Sequence, residues 1–227
     1  MALRGRTLTT TDVRVPRFAT VDLTGQQVLG TVAVGKHLFT RTDAGLTIHS
    51  HRRMEGRWVT GAADLRTGPA HQIRIVLRTL ESAAIGVRLA MVEVAPTTHE
   101  HRWVGHLGPD ILADDFDPGL DLPAGRPLVE TLLDQSVIAG LGTMWAAETA
   151  FHAGLSPFAE VQGQDLAPAL ARTRGQMADS VTGRRPAMTV FERGGLPCRS
   201  CGTPIRTGRV GRPPHDRVTY WCPSCQR

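Results

Sequence analysis

The chain has 227 residues, 41 % of them hydrophobic and 21 % charged, which is enough apolar content for one large core or two modest ones and excludes a disordered chain. Its formal net charge of +5 rests on twenty-five arginines and a single lysine, Lys36, so any chemistry that needs a lysine has one candidate. No apolar stretch reaches membrane length, and no basic start followed by an apolar run marks a secretory leader, which points to a cytoplasmic location and away from a membrane or secreted class.

The first half predicts strands. Residues 18–23, 27–34, 37–40, 46–51 and 71–77 are short, β-branched and partly alternating, with Gly and Asp between them. Such regular spacing predicts an antiparallel sandwich or barrel up to about residue 105. Composition changes around Gly108-Pro109-Asp110, and 114–119 (Asp-Asp-Phe-Asp-Pro-Gly) reads as a turn before helical sequence. Residues 126–134 carry a proline near a helix start and an apolar face. In 135–154, Gly140 and Gly142 precede a run of helix formers and Gly154 follows it, giving a turn, a helix and its stop. A third helix is expected over about 166–181. The fold class is therefore α+β and multidomain, with three modules: a β-sandwich over 1–112, a helical module over 113–190 and a cysteine module over 191–227.

The only four cysteines lie in the last thirty residues as Cys198-x2-Cys201 and Cys222-x2-Cys225, with twenty residues between the pairs. Two such turns across a hairpin point four thiolates at one metal, the pattern of a closed structural Zn2+ site with no open catalytic position. Two disulfides are the competing reading; a reducing compartment favours the metal. From Arg193 onward there are seven arginines against Asp216 alone, formally +6, so the whole net charge sits in this tail. A cationic hairpin held rigid by zinc suits a polyanion, and nucleic-acid phosphate is the default partner. A merely solvated charged face is the alternative. The Gly140-x-Gly142 turn opens a helix whose exposed N–H groups can take phosphate, although such glycines also serve plain helix connections.

In combination these segments resemble the formamidopyrimidine-DNA glycosylase and endonuclease VIII (Fpg/Nei) family of base-excision repair enzymes, on the endonuclease VIII side and near its shorter actinobacterial type. Asp134-Gln135 through Trp145-Ala-Ala-Glu is similar to the family's helix-two-turn-helix signature. Pro197 to Ile205 with Arg217 to Arg227 is similar to its zinc finger. Gly35-Lys36 with His49 to Gly56 matches the amino-terminal domain, and His106-Leu-Gly-Pro-Asp matches the stretch before the hinge.

The resemblance implies a protein that flips a damaged nucleotide from DNA, attacks its sugar with an amine, releases an oxidised base and cuts the strand by elimination. It assigns Lys36 to a phosphate contact and proton donation, Arg217 to a clamp on the phosphates flanking the lesion and to assisting the second elimination, and Met54 to the loop that fills the hole in the duplex. An ordinary core methionine is the other reading of Met54. DNA contacts are also expected at His106, Gly142 and Thr143, and Zn2+ at Cys198, Cys201, Cys222 and Cys225. A monomer is expected.

Three departures matter. Thr143 stands where the family usually has Asn, and Arg52 where an apolar residue is commoner. Family members begin Met-Pro-Glu-Gly, with the proline as nucleophile and the glutamate as acid; this sequence begins Met1-Ala2-Leu3-Arg4 and matches only from the end of the first helix. Little glycosylase turnover is therefore expected of these 227 residues by themselves. The alternatives are a non-catalytic binder of damaged DNA and, outside nucleic-acid chemistry, a zinc ribbon for protein assembly.

Overall fold

The computed structural model describes every residue except Met1, Gln164 and Arg185. The chain divides into two units, Met1–Gly105 and His106–Arg227.

The first unit is an antiparallel β-sandwich of two four-stranded sheets. One sheet holds β1 (Thr10–Val13), β6 (Ile73–Arg78), β7 (Ser82–Val87) and β5 (Arg57–Ala62) in that order. The other holds β2 (Val28–Val34), β3 (His37–Thr42), β4 (Leu46–His51) and β8 (Met91–Pro96). Period-two alternation places the layers: Ile48 of β4 points into the core with Val28, Ile75, Leu77 and Val92, while its neighbours Thr47 and His49 face the other way. That outward face is covered by residues 97–104, ending in the short helix α1 (His101–Val104). Glu100 there accepts both arms of Arg41 at 2.9 and 2.6 Å and the Thr47 hydroxyl at 2.6 Å. The Arg41 guanidinium holds the Glu100 carboxyl below its ordinary value.

One expected strand is absent. Residues 18–23 form turns instead: Pro16–Phe18 is a 3-10 turn, Phe18 N–H bonds to Val15 O, Val21 N–H to Phe18 O, and Asp22 Oδ1 takes the Thr24 N–H. The proline presets the first turn and the aspartate offers the backbone a local acceptor, and together these outweigh the β-branched residues. Alternation there reports burial and not pairing, because Leu23 is fully buried and Phe18 and Val21 pack beside it. β1, β5, β7 and β8 were not expected from the sequence. β7 (Ser-Ala-Ala-Ile-Gly-Val) is buried at every position, so it shows no polar face to alternate.

The second unit packs α2 (Leu128–Leu133), α3 (Thr143–His152) and α4 (Ala167–Val181) with a hairpin of β9 (Arg206–Val210) and β10 (Arg217–Trp221). α3 is its axis, with every residue from Trp145 to Ala150 buried. Ala146 and Ala150 join the helical core of Leu128, Leu132, Leu141 and Leu170; Ala147 joins Val190, Ile205 and Cys222 under the hairpin. Small side chains on both faces let helices and hairpin approach the same helix closely. No helix among the described residues is long and apolar enough to cross a membrane.

Candidate functional site

In the second unit the four cysteine sulfurs, Cys198, Cys201, Cys222 and Cys225, lie within 4.8 Å of one another. Cys201 Sγ lies 3.4 Å from Cys222 Sγ, and Cys198 Sγ lies 3.9 Å from Cys225 Sγ. Disulfide sulfurs would be about 2.05 Å apart, so these are four thiols. Sulfurs tetrahedral about a metal at 2.3 Å stand about 3.8 Å apart, the spacing seen here. Each cysteine pair sits on a tight turn, closed by Gly202 N–H to Cys198 O at 2.9 Å in one and Gln226 N–H to Cys222 O at 3.0 Å in the other. The four sulfur groups also shift one another's protonation. Hydrogen bonds from Thr203 draw the Cys201 thiol down to about 6, while the neighbouring Cys201 sulfur, burial and the other thiols push Cys225 up to about 12. Four thiolates cannot coexist near neutral pH without a positive ion between them.

The carboxy-terminal residues lock this cluster onto the helices. Gln226 accepts the Cys222 N–H at 2.8 Å and donates to Leu155 O at 2.9 Å, and Arg227 N–H bonds to Gly154 O at 3.2 Å. A second anchor comes from α3. Glu148 is 1 % exposed, and its carboxylate accepts the N–H groups of Thr189, Val190 and Phe191 at 2.8–3.0 Å, just before the hairpin module begins.

The hairpin's outer surface is basic. Arg206, Arg209, Arg212 and Arg217 are exposed, and the one acid, Asp216, is paired with Arg209, which holds its carboxyl below the usual range. Arg217 opens β10, and its Nη1 donates to His215 O at 2.9 Å and Asp216 O at 3.2 Å. These bonds hold one arm of the guanidinium against the β9–β10 turn, while the Arg217 side chain as a whole stays at the surface.

The same unit carries the glycine-rich turn. Gln135 organises it: its amide donates to Leu133 O and Leu141 O, both at 2.9 Å, and its Oε1 accepts Gly140 N–H at 3.1 Å. Gly140 has φ 99, a left-handed conformation that admits glycine without strain. Asp134 takes the Ser136 hydroxyl and N–H and then Arg126, and these bonds pull its pKa down to about 2. The turn also pairs with the segment after His106: Gly108 N–H bonds to Gln135 O, Ala139 N–H to Pro109 O and Ile111 N–H to Ala139 O. His106 itself is exposed. Gly142 is the N-cap of α3 and, as a glycine, makes no side-chain capping bond, and Thr143 is the first, half-buried residue of the helix. This ten-residue helix thus starts from a glycine cap at the positive end of its dipole.

In the first unit, Lys36 lies in the turn between β2 and β3, one residue before His37. His37 and His51 are register partners, so the Lys36 turn and the loop after β4 share one end of the second sheet. Met54, at the tip of that loop, is 96 % exposed, which removes the core-methionine reading.

The structure therefore gathers the four cysteines into one cluster and brings Lys36 and Met54 to one end of one sheet. Gly142 and Thr143 fall at a helix start, and Arg217 on the cationic hairpin. Sequence reasoning did not single out Glu148, nor the ring contacts of His37, His49 and Trp103, nor the Glu93 carboxylate beside His49. An acid inside the apolar run 143–152 was the available signal for Glu148. The histidine contacts become visible only through strand register.

No family model matches the chain. It is 44 % identical to a probable endonuclease 8 2 of Streptomyces coelicolor, with 99 % of this chain and 88 % of the relative covered. It is 42 % identical to the DNA-(apurinic or apyrimidinic site) lyase Nei2 of Mycolicibacterium smegmatis, over 99 % of this chain and 92 % of the relative. Among solved structures, Lactococcus lactis Fpg in complex with DNA containing an abasic site superposes with a TM-score of 0.83 at 20 % identity, covering 99 % and 94 % of the two chains, a likeness of fold. With this identity along its whole length and this fold, the chain belongs to the Fpg/endonuclease VIII family.

Proposed function

We propose that the protein is a base-excision repair enzyme of the endonuclease VIII type, a DNA glycosylase and abasic-site lyase acting on oxidised bases in duplex DNA. The observation that carries this reading is the pairing, in one unit, of a cationic four-cysteine hairpin with an α3 N-terminus capped by glycine. Both features take anions, and a duplex offers a row of them. The relatives named as an endonuclease and an abasic-site lyase support the same chemistry.

In this reading Zn2+ binds Cys198, Cys201, Cys222 and Cys225 and fixes the hairpin without taking part in the reaction. Arg217 grips the phosphates flanking the lesion through two or more donors, a task its fixed fork suits better than a lysine would. Gly142 and Thr143 place backbone N–H groups and one hydroxyl at a further phosphate, and His106 lies on the segment paired with that turn. Met54 fills the gap left by the extruded nucleotide with an unbranched apolar side chain. Lys36 contacts a phosphate and supplies a proton during strand elimination. We place the functional modules at 1–112, 113–190 and 191–227, and the protein in the cytoplasm as a monomer beside the chromosome. The alternative of a binder without chemistry has less support, because Lys36 and Arg217 are both in place.

Arg217→Ala tests the reading. A charge-assisted hydrogen bond contributes about 1.5–3 kcal/mol, so affinity for an abasic duplex should fall about tenfold to a hundredfold with metal content unchanged. Unchanged affinity removes Arg217 from the clamp.

A further inference from the structure

The outward face of the second sheet carries a cluster of rings. His37 Nδ1 and His49 Nε2 are 2.8 Å apart, so one nitrogen carries a proton and the other accepts it. The His51 ring meets His37 edge-on with centroids 5.0 Å apart, and Phe39 and Trp103 close over His49 at 5.0 and 4.5 Å. His49 is 1 % exposed, and Oε2 of its register partner Glu93 stands 3.6 Å from its Nδ1.

Two turns leave this cluster. His37 follows Lys36 directly. His51 Nδ1 accepts the backbone N–H of Arg53 at 3.0 Å, and Arg53 has φ 49, in the left-handed region that side chains rarely adopt. The rest of the loop is closed on itself. Gly56 N–H bonds to Arg52 O at 3.0 Å, Arg52 Nε returns a bond to Gly56 O at 2.8 Å, and Glu55 pairs with Arg88 at 2.9 Å. A Cβ on Gly56 would lie 2.5 Å from Arg52 O, so the tight closure requires glycine. Left-handed backbone at a residue other than glycine costs on the order of 1 kcal/mol or more and persists only where neighbours hold it. His51 supplies the acceptor that holds Arg53.

An imidazole nitrogen accepts a hydrogen bond only while it is unprotonated. We propose that His51 is a positioning residue, a proton-sensitive latch whose neutral ring holds the Arg53–Met54 tip in its left-handed turn and whose protonation frees the tip. Its meaning for DNA rests on the reading of Met54 as the gap-filling residue.

The groups facing the latch are Lys36 and His37 from the neighbouring turn and strand, Arg53 from the loop, His49 on its own strand, Glu93 on β8, and Glu100 beyond His49. Burial first, then the Arg53 and Lys36 cations, press the His51 pKa below its ordinary 6.5. A released loop would return His51 toward that ordinary value. The latch is therefore fully effective above it and is lost as pH falls through the lowered one.

The test is the protection of the Arg53 amide against hydrogen exchange, followed by NMR on the intact protein without DNA from about pH 7.5 to 5 and corrected for the intrinsic rate. Protection should fall about tenfold, the worth of one hydrogen bond. In His51→Asn, whose amide oxygen accepts near the Nδ1 position and does not titrate, protection should stay level. Constant protection in the wild-type protein overturns the latch, and so does an equal decline in His51→Asn; the wild-type titration decides the matter even if the variant does not fold. With DNA, the ratio of affinities for abasic and intact duplexes should narrow on acidification in the wild-type protein alone. A titrating Arg53 amide with no abasic preference at any pH would sink the Met54 reading and leave the latch standing.

Discussion

Replacing Cys222 with serine is expected to abolish metal binding and unfold the carboxy-terminal hairpin while the β-sandwich stays folded. Cys222 is fully buried, its sulfur lies 3.4 Å from Cys201, and its own N–H is tied through Gln226 to Leu155. Apart from metal, the hairpin's own core is small: Val190, Cys198, Ile205 and Cys222 against Ala147 of α3. So little apolar burial cannot offset the conformational entropy of ordering the strands. A structural zinc is linked to folding by an apparent 10–16 kcal/mol, and an incomplete thiolate shell forfeits much of that. Native mass spectrometry should show one zinc on the wild-type protein and none on Cys222→Ser. Limited proteolysis should then cut within 191–227 and spare residues 1–105. A variant that keeps stoichiometric metal and resists cleavage would show that the cluster does not carry the hairpin.

Substituting Glu148 with leucine should be nearly as damaging without touching a cysteine. The carboxylate satisfies three consecutive backbone N–H groups inside the protein, at Thr189, Val190 and Phe191. Leucine has a similar volume and suits the apolar surroundings, but it leaves those donors unpaired, at about 1–3 kcal/mol each. The sum, roughly 3–9 kcal/mol, is comparable with the whole stability of a typical domain at about 5–15 kcal/mol. Glu148→Gln should be milder, because Oε1 alone contacts all three donors and a carbonyl oxygen in its place retains them. Chemical denaturation monitored by the tryptophans should rank wild type above Gln and Gln above Leu. Equal stability of the leucine variant would mean that the 189–191 segment finds other partners.

Both effects bear on how the site is built. Glu148 holds the segment before the cationic hairpin to α3, the helix that starts from the Gly142 cap, and the Cys222–Gln226–Leu155 chain ties the cysteine cluster to the turn just after that helix. One buried helix thus positions both features proposed to take phosphate, and its alanines are what let the two sides pack against it.

The two cysteine pairs, the arginine-rich tail and Gly140-x-Gly142 were legible in the sequence because each depends on spacing along a few residues. The three expected helices were readable for the same reason. Residues 18–23 misled because Phe18, Thr20, Val21 and Leu23 are residues that favour strands, while Pro16 and Asp22 fold the backbone into turns. β7 was missed because burial at every position erases alternation. The contacts among His37, His49, His51, Glu93 and Trp103 bring together three strands and a helix. Strand pairing creates them, and no local pattern announces them.

The most direct test of the account is the affinity of the 227-residue protein for a duplex with one abasic site against the same duplex intact, measured across salt concentration. The account predicts preference for the abasic duplex by about tenfold or more. It also predicts a log–log salt slope of about −0.9 for each phosphate contacted, shallower by about one for Arg217→Ala. Equal affinity for the two duplexes, or binding that does not respond to salt, would contradict it.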